Sequence, residues 1–341
     1  FYAHDDQIAI AVFGNKYRLL LGMADLGNFR GVSQVCNRSN LRHIAYLLYA
    51  VIIAELCAKR NKKNEVLMKR KQILFSVLLL FSVVATQAAR VDTVMVKSPS
   101  MNKEVQVVYV LPDKALGEEA EACPVVYLLH GYGGNARSWV GLKPELPKIA
   151  DEKGIIFVCP DGKNSWYWDS PRNKDYRYES FVAKELVEYI DKNFATKADR
   201  SGRVITGLSM GGHGGMWLSI RHQDIFGGGG SMSGGLDIRP FPDSWNMKAR
   251  LGEYASNKEV WDNHTVINQL DRLKDGSLAI IIDCGADDFF LQVNKAAHEA
   301  LLKRGIGHDF IIRPGAHNPR YWNNAIDYQV LFFKKFFNKS K

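Results

Sequence analysis

The chain has 341 residues, 46% hydrophobic and 24% charged, a balance that can bury a core and excludes general disorder. Its formal charge of +9 does not mark a nucleic-acid groove, because the excess is local: residues 1–89 hold 12 Lys/Arg against 5 Asp/Glu, and residues 90–341 hold 33 against 31. Length alone allows one large α/β domain or two average ones, so the pattern along the chain decides.

Residues 1–67 show no clear amphipathic period, although Ile44–Cys57 is an apolar stretch broken by Glu55. Residues 68–89 follow the three-part order of a secretory signal. Lys69-Arg70-Lys71 is basic, Ile73–Ala85 is apolar, and small residues end at Ala88 or Ala89. Met68 is thus expected to be the start, 1–67 an upstream segment outside the native protein, and the mature protein secreted or periplasmic with no stable membrane span. The alternative is an internal anchor, for which the run is short.

After residue 90, Val91–Lys97 and Glu104–Leu111 predict a hairpin. Val125–Leu129, Ile155–Cys159, Arg203–Thr206, Phe226–Ser233, Leu278–Asp283 and Phe310–Arg313 then read as strands. They alternate with helical patterns over Glu179–Phe194, Ser209–Arg221, Asn294–Arg304 and Ala325–Phe337. Apolar strands alternating with helices predict a mostly parallel central sheet covered on both faces. Gly235–Lys274, with Pro240, Pro242, Phe241, Trp245, Tyr254 and Trp261, breaks the rhythm and predicts an insertion of short helices over the carboxyl edge of the sheet. It reads either as a lid or as a surface connection.

Five cysteines occur with no Cys-x-x-Cys pair and no zinc-like histidine spacing, so no metal and no cofactor is expected. Cys123, Cys159 and Cys284 read as free and buried.

Gly207-Leu208-Ser209-Met210-Gly211 sits between a predicted strand and a predicted helix. Such a turn strains the serine backbone, exposes its hydroxyl and removes side chains that would collide, which is what a nucleophile needs. His130-Gly131-Tyr132-Gly133-Gly134 follows Val125–Leu129, and a glycine loop there can aim a main-chain N–H at a developing oxyanion. Tyr132 and Met210 are the candidate donors. The same loop loosely fits a dinucleotide fingerprint, but no strand-ending acid follows at the needed distance. A serine hydroxyl also needs a base, and the base a carboxylate. His317, on a short loop after Phe310–Arg313, is the candidate base. Asp288, three residues after Gly285, is the candidate acid, with Asp287 the alternative. His213 and His130 read as packing or bracing groups. Trp166, Tyr167 and Trp168 follow Ile155–Cys159 and could line a substrate pocket or pack in the core or lid.

From about Arg90 to Phe337 the sequence resembles the esterase D family, which includes tributyrin, feruloyl and acetyl-xylan esterases and S-formylglutathione hydrolases. The resemblance rests on His130-Gly131-Tyr132-Gly133-Gly134, Gly207-Leu208-Ser209-Met210-Gly211-Gly212, Gly285-Ala286-Asp287-Asp288-Phe289 and Pro314-Gly315-Ala316-His317. It implies an α/β-hydrolase fold over 90–341, a Ser209–Asp288–His317 triad, oxyanion donation from Tyr132 and Met210, and no cofactor. It further implies a serine carboxylesterase acting on short acyl or hydroxycinnamoyl esters of small molecules or polysaccharide, and the pattern of 68–89 adds the expectation that it is secreted. A thioesterase of the S-formylglutathione hydrolase kind and an acyltransferase are the alternatives.

Overall fold

In the computed structural model the chain divides into two units, Phe1–Ala85 and Thr86–Lys341. The described residues are 89–339 and three upstream strands, β1 (Ile8–Ala11), β2 (Arg18–Met23) and β3 (Val32–Val35). These pair antiparallel in the order β1-β2-β3, a sheet that nothing in the pattern of 1–67 predicts. The expected signal segment through Ala88, and with it Cys36 and Cys57, lies outside the described residues.

The second unit is built on an eight-stranded sheet. Its strands are β4 (Arg90–Ser98), β5 (Lys103–Leu111), β6 (Val125–Leu129), β7 (Ile156–Pro160), β8 (Arg203–Gly207), β9 (Gly228–Met232), β10 (Ala279–Gly285) and β11 (Asp309–Arg313). Their spatial order is β11-β10-β9-β8-β6-β7-β5-β4. The β4–β5 hairpin joins antiparallel at one edge, and every pair from β7 to β11 is parallel, as the alternation predicts.

Parallel strands are buried on both faces, which explains their unbroken apolar runs. Along β6, Val125, Tyr127 and Leu129 enter one core while Val126 and Leu128 enter the other. On the first face pack the helical run over 178–193, which ends in α3 (Leu186–Asn193), then α4 (Met210–Arg221) and α7 (Leu291–Lys303). On the second pack α1 (Ser138–Leu142), α2 (Leu146–Lys153) and α8 (Pro319–Lys339) through Trp139, Leu146, Phe333 and Phe337. Strand β9 is Gly228-Gly229-Gly230-Ser231-Met232 because helices press on both its sides: a Cβ on Gly229 would lie 2.0 Å from Ser219 Oγ of α4, and one on Gly230 2.2 Å from Gln329 Oε1 of α8.

The insertion holds the short helices α5 (Lys248–Leu251) and α6 (Lys258–Asn263) and two 3₁₀ turns, as expected. Cys123, Cys159 and Cys284 are free and buried. Among the described residues no helix is long and apolar enough to cross a membrane.

Candidate active site

Strand β8 ends at Gly207, and two residues later Ser209 takes φ 54°, ψ −119° before α4 begins. A side chain with a Cβ does not adopt that backbone without cost, of the order of 1–3 kcal/mol. Neighbouring chain holds it there. The Ser209 N–H donates to the Met232 carbonyl at 2.9 Å, and a Cβ at Gly207 would lie 2.5 Å, one at Gly211 2.3 Å, from the Leu129 carbonyl oxygen. Only glycines on both sides let the turn come this close to β6. The result is a half-buried serine at the tip of a central strand.

His317 lies on the loop between β11 and α8, with Nε2 2.9 Å from Ser209 Oγ. Its Nδ1 is 2.9 Å from Asp288 Oδ2 and 3.1 Å from Oδ1. A carboxylate only accepts, so Nδ1 carries the imidazole proton and Nε2 is left to accept from the serine hydroxyl. The Asp288 side chain has no solvent-accessible surface, and its Oδ1 also accepts the Phe290 N–H at 2.8 Å. Asp287 is exposed and joins the site only through its main chain. Its N–H donates to the Gly315 carbonyl at 2.9 Å, and the Ala286 N–H to that of Arg313 at 2.8 Å, tying the acid loop to the base loop. Behind them Arg313 pairs with the buried Asp283 at 2.6 Å, and the Tyr321 hydroxyl donates to the same carboxylate. Rings enclose the imidazole: Phe289 at 4.3 Å between centroids, Trp322 edge-on at 4.8 Å, and Phe290 at 5.5 Å.

The loop after β6 turns beside the serine. The Gly134 N–H donates to the Gly131 carbonyl at 3.0 Å, and Gly133, at φ 77°, holds the third position of that turn, where a positive φ favours glycine. A Cβ at Gly131 would stand 3.4 Å from Ser209 Cβ. Tyr132 occupies the second position of the turn and Met210 the first of α4, whose opening amides have no intrahelical acceptor. His130 braces the loop: Nδ1 donates to the Gly131 carbonyl at 2.7 Å and Nε2 accepts the Gly162 N–H at 2.8 Å, which makes the ring neutral. Asn164 Oδ1 accepts the Gly133 N–H at 2.8 Å, a brace that no sequence motif marks.

The expectation that Trp166, Tyr167 and Trp168 line a substrate pocket is corrected. They are 1%, 0% and 0% exposed, so none offers a face to a ligand. The Tyr167 hydroxyl donates to the His130 carbonyl at 3.1 Å and Trp168 Nε1 to His213 Nε2 at 2.8 Å, which makes them packing between the oxyanion-side loop and α4. His213 is fully buried, and burial pushes its pKa down to about 3. It donates from Nδ1 to the Gly235 carbonyl at 2.8 Å and stays neutral, the packing role its position suggested.

The arrangement can pass a proton from a serine hydroxyl to an imidazole whose tautomer is fixed by a buried carboxylate, beside main-chain amides suited to an oxyanion.

Comparison with known proteins places the chain among esterases. The Esterase family model matches residues 98–333. An acetyl esterase of Caldicellulosiruptor saccharolyticus is 28% identical over 232 residues, spanning 63% of this chain and 85% of that protein. An endo-1,4-beta-xylanase/feruloyl esterase of Xylanibacter ruminicola is 36% identical over 131 residues, 36% of this chain and 18% of that longer protein. Among solved structures, a ferulic acid esterase superposes with TM-score 0.64 and 26% identity over 73% of this chain and 99% of its own. An S-formylglutathione hydrolase from Staphylococcus aureus shares the fold at TM-score 0.64 and 19% identity, over 73% of this chain and all of its own. The chain belongs to the Esterase family, with the α/β-hydrolase fold, and is a carboxylic ester hydrolase.

Proposed function

We propose that the protein is a secreted serine carboxylesterase that works through an acyl-enzyme on Ser209 and acts on short acyl or hydroxycinnamoyl esters. The observation that carries the reading is the continuous chain from Ser209 Oγ through His317 to the buried Asp288.

In the proposed cycle Ser209 Oγ attacks the ester carbonyl carbon while His317 Nε2 takes the hydroxyl proton. Asp288 keeps that imidazole in the productive tautomer and stabilises it once charged. The carbonyl oxygen becomes an oxyanion facing the Tyr132 and Met210 amides. Collapse breaks the carbon–oxygen bond to the alcohol, which leaves with the proton from His317. Water, deprotonated by the same His317, then attacks the acyl carbon, releases the carboxylic acid and returns the proton to Ser209. The acetyl and feruloyl esterases among the relatives support the acyl range. The basic, apolar and small-residue order of 68–89 supports export.

The test is Ser209→Ala, assayed on p-nitrophenyl acetate and methyl ferulate with folding checked by circular dichroism. Loss of a triad nucleophile in another hydrolase cost roughly 10⁶ in kcat. Turnover within tenfold of wild type would end the assignment.

A further inference from the structure

Asp283 is a carboxylate with no exposed surface, two residues before the end of β10. Its two oxygens face different elements. Oδ2 accepts from Arg313 Nη2 at 2.6 Å, at the end of β11, and Oδ1 accepts from the hydroxyl of Tyr321, in the first turn of α8. Those three elements bound the two loops that carry Asp288 and His317. The Tyr321 ring is also the floor of the base loop: Gly315, at φ 140°, turns over it so closely that a Cβ there would lie 2.5 Å from Tyr321 Cδ2. The next residue, Trp322, sets its ring edge-on against the His317 imidazole at 4.8 Å. Arg313 is held from its other side by Asn324 of α8 and lies over the Tyr328 ring at 4.0 Å. A buried ion pair of this kind adds little stability over apolar side chains filling the same space. What an apolar side chain lacks is direction, since two acceptor oxygens fix where a guanidinium on one element and a hydroxyl on another must stand.

We propose that Asp283 is a positioning residue for the esterase reaction: by locking β10, β11 and α8 together beneath the two catalytic loops, it sets where His317 stands relative to Asp288 and Ser209. The inference rests on the reading of His317 as the base, and it assigns a part to a carboxylate that touches neither substrate nor reacting atom. The link to the imidazole is short. Without Asp283, Tyr321 loses the bond that fixes its ring under Gly315, two residues before His317, and the turn of α8 that carries Trp322 loses the same anchor. The main-chain ties from Ala286 to Arg313 and from Asp287 to Gly315 then join loops whose roots are no longer held in place. Proton transfer needs His317 Nε2 within hydrogen-bond reach of the serine hydroxyl, and a displacement of about 1 Å can cost about a hundredfold in rate. Ester binding does not use these groups, so the loss falls on kcat and not on KM.

The experiment measures kcat and KM on p-nitrophenyl acetate, and the downfield proton NMR line of the His317 Nδ1–H, at a temperature well below every Tm. It compares wild type, Asp283→Asn, Tyr321→Phe, the double variant and Phe333→Leu. Asp283→Asn keeps the shape of the carboxylate, and Tyr321→Phe deletes a single hydrogen bond, so the second decides the matter where the first fails to fold. Asp283→Asn is expected to lower kcat by about ten- to a hundredfold and Tyr321→Phe by about fivefold, each with KM within about twofold and with the Nδ1–H line shifted or broadened. The double variant is expected to lose no more than Asp283→Asn alone, because both act through one tie. Phe333→Leu, in the second core towards the carboxyl end of α8, is expected to lower Tm while leaving kcat and the line unchanged. A kcat within about twofold of wild type in both single variants, a change confined to KM, an unshifted line or multiplied losses in the double variant would each overturn the proposal. A fall in kcat in Phe333→Leu equal to that in Tyr321→Phe would make the effect one of stability and overturn it too. Ser209→Ala on the same ester tests the underlying reading separately.

Discussion

Asp288 and Asp287 are neighbours in sequence, yet only Asp288 reaches His317, at 2.9 Å from Nδ1, while Asp287 points to solvent. In the proposed mechanism Asp288→Asn keeps the shape but favours the wrong imidazole tautomer. It is expected to lower kcat on p-nitrophenyl acetate by about 10⁴, the loss seen for the equivalent change in a serine protease. Asp287→Asn is expected to stay within about threefold, since it alters an exposed side chain. A larger loss at Asp287 would transfer the role.

The serine turn is held by space as much as by bonds. With a Cβ at Gly211 only 2.3 Å from the Leu129 carbonyl oxygen, Gly211→Ala forces β6 and α4 apart. Overpacking against backbone is expected to cost about 3 kcal/mol or more, a fall in Tm of roughly 6 °C or more, together with loss of turnover. Calorimetry showing a Tm within about 2 °C of wild type would mean the turn tolerates the side chain.

Asn164 supports the oxyanion-side loop by accepting the Gly133 N–H. Its removal shifts the loop without deleting a donor, so Asn164→Ala is expected to reduce kcat about tenfold with little change in KM, less than the 10²–10³ that follows loss of a donor itself. Steady-state kinetics on p-nitrophenyl acetate separate the two parameters, and a change confined to KM would contradict the brace.

Much of the fold and of the site is legible in the sequence. Strands β6 to β10 announce themselves because both faces are buried, and the glycines beside Ser209 mark a turn pressed against β6. Helices α1 and α2 carry no clear signal because five and eight residues are too few to show a helical period, although Pro147 in the first turn of the second is compatible with a helix start. Trp166, Tyr167 and Trp168 misled because aromatic residues on a carboxyl-edge loop suit a pocket and a core equally. Their burial depends on His130, His213 and α4, which are distant in sequence. Phe289 stands in the motif after Gly285, but its packing depends on Trp245 and His317, which are distant in sequence.

The buried neutral His213 carries a pH signature. Its folded pKa of about 3 lies below the usual histidine value of 6.5, because burial disfavours the charged ring. The unfolded chain therefore binds a proton that the folded chain refuses between those values, and stability falls as pH drops through about 6.5 towards 3, by at most about 1.4 kcal/mol per pH unit from this group. Burial lowers the pKa of His264 as well and adds to the same trend. His213→Gln is expected to shrink the fall in Tm between pH 6.5 and 5 measured by differential scanning fluorimetry. An identical slope in the variant would show that His213 does not contribute.

The central claim is that Ser209 forms the acyl-enzyme, and the most direct measurement is to quench wild-type protein in acid during turnover of p-nitrophenyl acetate and map the acetyl group by peptide mass spectrometry. One acetyl group is expected on the peptide containing Ser209, with none on the same peptide of Ser209→Ala. An adduct on a different residue, or hydrolysis by the alanine variant at the wild-type rate, would contradict it.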